Sequence, residues 1–245
     1  MPYYDGFVIA VPTAAKDKFI QHAQTIDPMF IENGATRVVE CWGDDVAHGK
    51  VTDFYGAVDA REDETVVFAW IEWPDKATRD KGLAATMMAD NPDPRSDPKQ
   101  NPMPFDGRRM IFGGFDAIVT QGDHSSVPYV QGFMVPVPTA KREAYAKMAA
   151  DCWSMFGDFG ALGVLEAWGD DVPHGEVTDF YRGVKATPEE SVVFSYMLWP
   201  SKQACQDAAE KMQAMEMPEG FEMPFDGMRM VWGGFEPVVV VEGGR

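Results

Sequence analysis

The sequence predicts an α+β fold made of two copies of one β-α-β-β-α-β unit. Three observations carry this reading. The stretch Glu40–Tyr55 returns as Glu166–Tyr181, 126 positions later, with changes only at Cys41/Ala167, Ala47/Pro173 and Lys50/Glu176. Runs rich in Val, Phe and Trp alternate with segments whose apolar residues recur at helical spacing, in the same order in both halves. The chain has 245 residues, 45% of them hydrophobic, which is enough for two ordinary domains.

Taken in order, the first strand is Tyr4–Val11, echoed by Val130–Val137. Pro12-Thr13 and Pro138-Thr139 stop it, and each threonine is placed to cap the helix that follows. In the second copy of that helix Tyr145, Met148, Cys152 and Phe156 form one apolar stripe; Phe19, Ala23, Ile26 and Phe30 do so in the first. Pro28 stands where the second half has Ser154, so a kink or break is expected in the first copy alone. Gly34 and Gly160 end these helices. The second strand is Ala35–Trp42, echoed by Ala161–Trp168, and the third is Thr65–Trp73, echoed by Ser191–Trp199. Asp75 or Ser201 then caps a second helix, expected to reach about Asp90 and Glu216.

The fourth strand follows Met-Pro-Phe-Asp-Gly and covers Arg109–Val119 and Arg229–Val241, with Gly-Gly-Phe suggesting a bulge. Before it the offset between copies falls to 120. The first half therefore carries six extra residues within 91–102, a Pro-, Asp- and Asn-rich loop. Residues 121–128 read as a linker, giving domains 1–122 and 128–245. This order of elements defines a ferredoxin-like domain, with helices on one face of a four-stranded sheet. The other face is apolar and must be covered. The other copy's sheet is the natural cover. The expectation is two sheets packed as one pseudo-symmetric barrel, in a monomeric pseudo-dimer or a weak homodimer.

The net charge is −18, from 39 acidic and 21 basic residues, with no Lys/Arg cluster. Such a surface repels phosphate backbones and anionic membranes, so neither nucleic acid nor membrane is an expected partner. The first residues lack a basic segment, and the apolar run 7–11 is too short for a signal sequence or a span. A cytoplasmic location is expected. Cys41, Cys152 and Cys205 form no C-x-x-C pair and read as small buried residues in a reducing compartment.

Four motifs carry a resemblance: D-G-F-V-x-x-V-P in the first strand, then V-E-C-x-G-D-D-V-x-x-G-K-V-T-x-F, D-E-T-V-V-F-x-W and M-P-F-D-G-x-R-M-I-x-G-G-F. With them the chain resembles the DUF1428 family of small bacterial proteins over nearly all of both halves, but in two copies rather than one. The family is similar to the dimeric α/β-barrel proteins, whose single-domain members pair sheet to sheet. The resemblance implies the same barrel here, built by one chain. Wider relatives include cofactor-free quinol monooxygenases, haem-dependent enzymes and proteins with no known chemistry, so no one activity carries over. No cofactor and no metal are expected.

Polar residues kept in both halves mark the candidate site. Strand alternation puts Glu40 on the face of Val38 and Trp42, and Glu166 on that of Val164 and Trp168. A carboxylate on an apolar face gains a raised pKa unless it is paired, which suits a general acid or base. The alternative is a buried ion pair with Arg109 or Arg229 that holds the strand in place. His48 and His174 could shuttle protons, or simply shape their Gly-containing loops beside Asp44, Asp45, Asp170 and Asp171. Trp42 and Trp168, with Trp70 and Trp73, are core residues or the lining of a cavity between sheet and helices. Asp45, Asp171, Arg109 and Arg229 are candidates for polar contacts to a ligand there.

Glu40, His48, Glu166 and His174 are thus the catalytic candidates; Trp42, Asp45, Arg109, Trp168, Asp171 and Arg229 are the ligand-binding ones. The leading functional expectation is a small organic molecule bound between sheet and helices in each half, with the mouth near Gly-Asp-Asp. A cofactor-independent oxygenase acting on an aromatic or quinol substrate is the alternative, and a non-catalytic structural or interaction protein is the third.

Overall fold

The computed structural model describes residues 1–86, 93–215 and 222–244. The first half runs β1 (Tyr3–Pro12), α1 (Lys16–Glu32), β2 (Arg37–Asp45), a one-turn α2 (Phe54–Ala57), β3 (Glu64–Trp73), α3 (Lys76–Thr86) and β4 (Ile111–Gly122). The second repeats it as β5 (Tyr129–Pro138), α4 (Arg142–Asp158), β6 (Gly163–Asp171), α5 (Phe180–Gly183), β7 (Glu190–Trp199), α6 (Lys202–Ala214) and β8 (Val231–Glu242). The expected ends of the second helices, Asp90 and Glu216, lie outside the described residues, as do positions 91–92 of the insertion.

All eight strands form one closed antiparallel barrel in the order β1-β3-β2-β8-β5-β7-β6-β4. Each half supplies a four-stranded sheet, and the two sheets join edge to edge, β2 to β8 and β4 to β6. Closure leaves no sheet edge exposed for pairing with other chains. Inward-facing aromatics fill the interior. Phe68 and Phe194 stack across the two halves with ring centroids 4.5 Å apart, and Trp70 stacks on Tyr196 at 4.3 Å. A Cβ at Gly6 would sit 2.6 Å from the Phe194 ring, and one at Gly132 would sit 2.9 Å from Phe68. These two glycines make room for the stacked pair. Trp70 therefore belongs to the barrel interior, not to a cavity beneath the helices.

The helices lie on the outer face. Gly34 and Gly160 follow α1 and α4 at φ +105° and +99°, the left-handed turn that glycine accepts without penalty. Asp75 and Ser201 cap α3 and α6 as expected, bonding the amides of Thr78 and Ala204. Thr13 and Thr139 do not cap; each opens a short 3-10 turn, and Thr13 Oγ1 bonds Thr65 Oγ1 instead. The expected break at Pro28 does not occur. Helix α1 runs through it and has 17 residues, like α4. Buried Phe19, Ala23, Asp27 and Met29 anchor α1 on both sides of the proline. Among the described residues no helix is long and apolar enough to cross a membrane.

The bulge expected at Gly-Gly-Phe has its extra residue on the opposite strand. Gly43 pairs with Phe235 and Asp45 with Gly234, which leaves Asp44 as the extra residue; Asp170 is its counterpart against Gly114 and Phe115. The bulge turns each aspartate toward the other half. Tyr3 Oη donates to Asp170 at 2.9 Å, and Tyr129 Oη to Asp44 at 3.1 Å. A Cβ at Gly114 would lie 2.5 Å from Tyr3 Oη, and one at Gly234 would clash with Tyr129 Oη. The double glycine thus admits the tyrosine that closes the barrel. Gly234→Ala is expected to displace Tyr129 from Asp44 and to lower stability by about 1–3 kcal/mol, measured by urea denaturation.

Candidate functional site

The duplicated stretch lies at the joint between the halves, and the structure accounts for most of it residue by residue. Asp170 also takes Lys76 Nζ at 2.6 Å, and Asp171 takes Arg79 Nη1 at 2.7 Å. Arg79 is itself buried, with Nε and Nη2 on Asp5 Oδ1. On the pseudo-symmetric side Lys202 Nζ lies 2.9 Å from Asp44, and Gln206 donates to Asp45. Thr178 Oγ1 donates to the Ala57 carbonyl at 2.6 Å, and Thr52 Oγ1 to that of Gly183, tying α2 and α5 together. Phe54 and Phe180, one per short helix, insert edge-on against Phe235 and Phe115 in the barrel interior.

Asp45 and Asp171, expected at a ligand, are therefore engaged in holding one half to the other. Arg109 and Arg229 are likewise committed within the chain. Arg109 grips both oxygens of Glu64 at 2.6 Å, and Arg229 those of Glu190 at 2.7 Å. Each also donates to a backbone carbonyl, that of Asp59 or Lys185, which among the described residues are the two non-glycine positions at positive φ. Neither arginine meets Glu40 or Glu166, so the ion pair considered for those glutamates is not formed. Trp42 and Trp168 are core residues of the helix side: Trp42 packs on Phe19 below Lys16, and Trp168 lies below Arg142. Trp73 donates its indole hydrogen to Asp5 at 2.8 Å.

Glu40 and Glu166 lie on the helix-facing side of the sheet, as alternation requires, but in different company. Glu40 has Asp27 of α1 as its charged neighbour, and buried Oε2 of Glu40 and Oδ2 of Asp27 both lack a hydrogen-bond partner among the described residues. Burial pushes Asp27 up to about 8. Burial, and then the Asp27 charge, raise Glu40 well above the usual carboxylate range. In the second half Trp153 replaces Asp27, Tyr145 replaces Phe19 and Ser195 replaces Ala69. Tyr145 Oη donates to Glu166 at 2.7 Å. Burial lifts Glu166 to about 7 while the Tyr145 and Ser195 hydroxyls hold it down.

Of the four catalytic candidates, His48 and His174 are the accessible ones. Asp53 caps α2 through Gly56 N at 2.6 Å, and its other oxygen accepts from Gly49 N at 2.9 Å and faces His48 Nδ1 at 3.3 Å. The imidazole lies over Tyr55, ring centroids 4.6 Å apart. Asp179, His174 and Tyr181 repeat the arrangement, at 3.4 Å and 4.9 Å. They differ in one neighbour. Arg182 stands where the first half has Gly56, and its Nε comes within 3.5 Å of Asp179. Asp53 carries no such competitor for its histidine among the described residues.

A cleft of about 180 Å³ reaches His48. It lies between the first half's loop, with Lys50 and Asp53, and the second half's turn, with Met228 and Trp232. Met228 and Trp232 are exposed, although apolar. Glu40 does not line it. Among the described residues no cluster of three or more His, Cys, Asp or Glu is gathered for a metal ion.

The family model described as protein of unknown function (DUF1428) matches residues 2–107 and again 128–227. The chain belongs to this family. The uncharacterized family-sized protein YbaA from Escherichia coli (strain K12) is 50% identical over 121 residues, which are 49% of this chain and 100% of YbaA. YbaA from Shigella flexneri matches to the same extent. The whole length of that relative thus aligns with about half of this chain. Among solved structures, a proposed monooxygenase from Fusobacterium nucleatum aligns with TM-score 0.56 at 10% identity, covering 100% of this chain and 96% of its own. One from Lactobacillus acidophilus gives 0.55 at 12%, covering 99% and 97%. An anthrone oxidase-like protein gives 0.55 at 12%, covering 100% and 94%. At these identities the likeness is one of fold.

Sequence comparison of the halves did not single out Asp27, Arg79 or Glu64, and it placed Tyr145 in an apolar helix stripe rather than at Glu166. Glu64/Glu190, Tyr3/Tyr129 and Lys76/Lys202 recur at the 126 offset, so a wider comparison of the copies would have found them. Asp27 and Arg79 recur nowhere, since Trp153 and Cys205 take their places. Only the packing reveals them.

Proposed function

We propose that the chain binds a small organic molecule in the cleft at His48, and that His48 takes a proton from it. The observation that carries this reading is a cleft that reaches a histidine whose Nδ1 is turned to a helix-capping carboxylate. The other ring nitrogen is then left for a ligand. Trp232 and Met228 offer apolar faces and Lys50 a cation. At about 180 Å³ the cleft is smaller than pockets for drug-sized ligands, which run ~300–1,000 Å³. A single-ring phenol or quinol, or the end of a larger flat molecule, is the class that suits it.

A second reading, cofactor-independent oxygenation, rests on the same base. Removing a proton from an aromatic substrate makes an electron-rich anion that can react with dioxygen. For a phenol, the ring carbon para to the hydroxyl would become a carbonyl with one oxygen atom and the hydroxyl carbon a second carbonyl, while the other oxygen atom leaves as water with the two hydrogens that the phenol loses. The names of the barrel neighbours agree with this reading at the level of fold. A cytoplasmic setting belongs to the same proposal.

Native mass spectrometry of protein freshly purified from its host tests the site. A retained molecule is expected to be lost in Trp232→Ala and kept in Glu40→Gln. The opposite pattern would move the site beneath the helices. In an oxygen electrode with a quinol panel, His48→Gln is expected to slow any turnover by about 100-fold or more, the usual contribution of a general base. Unchanged turnover would remove His48 from the chemistry.

A further inference from the structure

A larger cleft, of about 660 Å³, opens between α1 and the segment 94–104. It shares no lining residue with the His48 cleft. Its volume falls within the ~300–1,000 Å³ typical of pockets for small organic ligands. One wall is the outer face of α1, with Lys18, Gln21 and His22; the other includes Asn101 and Met103 and three prolines. The second wall belongs to the segment that the six-residue insertion enlarges, so it is a property of the first half.

That wall is firmly tied to α1. Arg95 holds both oxygens of Glu32 at 2.8 and 2.6 Å, and Asp93 at 2.7 Å. Asn101 Oδ1 lies 2.9 Å from His22 Nδ1, and Asn101 Nδ2 donates to the Arg95 carbonyl. The Asn101 contact assigns the imidazole hydrogen to Nδ1 and leaves Nε2 as an acceptor. Burial lowers the pKa of His22, which keeps this ring neutral near pH 7.

The charge of the lining is the decisive feature. The chain carries −18 overall, yet no carboxylate lines this cleft among the described residues. Arg95 is neutralised by Glu32 and Asp93. Lys18 is left as the cation facing the cleft, on a helix face otherwise made of amide, imidazole and hydroxyl groups. Opposite it, proline rings and the half-exposed Met103 offer flat apolar surface.

We propose that this cleft is a second ligand site, for a planar organic monoanion of the aromatic carboxylate class. The carboxylate pairs with Lys18, and the ring lies against the prolines and Met103. The site is independent of the chemistry proposed at His48.

The probe is 2-naphthoate, added to the full chain carrying ¹³C-methyl methionine, with the Met103 signal assigned through Met103→Leu. A saturable shift of the Met103 methyl is expected. The neutral analogue 2-naphthalenemethanol and the variant Lys18→Ala should each weaken it about tenfold, the size of a lost charge-assisted contact. Lys147→Ala, at an exposed position of α4, should leave the affinity unchanged. A Met103 methyl that stays still up to the solubility limit of the probe overturns the proposal. So does equal binding of the neutral alcohol, or an affinity that survives Lys18→Ala.

Discussion

Arg79→Met is expected to cost about 3–5 kcal/mol, the usual penalty for breaking a buried ion pair by removing one partner. Arg79 is 6% exposed and Asp5 1%, so the substitution leaves Asp5 in the interior with, among the described residues, only the Trp73 indole to meet it. Asp171 is at the surface end of the arrangement and loses little. For a chain of this size, each kcal/mol moves the midpoint by ~2–4 °C, so a fall of about 10 °C should be seen in thermal denaturation. The second half supplies a repair. It has Gln131 and Cys205 where the first has Asp5 and Arg79, and Gln131 accepts the Trp199 indole hydrogen at 3.2 Å. Asp5→Gln with Arg79→Cys transplants that arrangement and should recover most of the loss. A double variant as unstable as Arg79→Met would mean that the charged pair, and not satisfaction of the indole and the buried carboxylate, holds the joint.

Asp27→Asn is expected to reverse its effect on stability with pH. Asp27 is pushed up to about 8, and its neighbour Glu40 is raised as well. The folded state therefore keeps protons that the unfolded chain releases above about pH 4. Stability attached to these groups is fully present below that pH and is lost as pH rises toward 8. The shift at Asp27 corresponds to a penalty on the order of 4 kcal/mol at pH 8, at 1.36 kcal/mol per pKa unit with allowance for relaxation. Asparagine cannot ionise, but its buried amide forfeits about 1–3 kcal/mol where hydrogen bonds are missing. The variant should be less stable than the parent at pH 4.5 and more stable at pH 8. Parallel pH profiles for the two proteins would show that the Asp27 carboxyl does not carry the proton.

Much of this architecture is legible in the residues, for a physical reason. A duplication states its own period, and strand alternation correctly put Glu40 on the helix side, where burial, and then the Asp27 charge, raise its pKa. What the sequence hid are contacts that span the joint. Tyr3 meets Asp170, 167 positions away, and Thr178 meets Ala57, 121 positions away. No local pattern encodes such a pairing. Gly-Asp-Asp looked like a ligand loop because acidic pairs beside glycine so often are. Here the bulge directs the first aspartate, and Gly114 or Gly234 opens the space, so that a tyrosine of the other half can reach it. Arg109 looked free for an anion because Glu64 lies 45 positions earlier, at the start of β3. His48 was legible as a candidate from its place in both copies. Its orientation by Asp53 was not, because that depends on how α2 begins.

The most direct test of the closed barrel is amide hydrogen exchange, read on peptides from β2 and β6. In an open pair of sheets ordered 4-1-3-2, these strands would be edges with unpaired amides. In one closed barrel β2 is bonded to β8 and β6 to β4. The expected result is exchange as slow as that of β1 and β5, in the middle of the two sheets, with all strands opening together. Fast exchange confined to β2 and β6 would contradict closure, and with it the role assigned here to both copies of Gly-Asp-Asp.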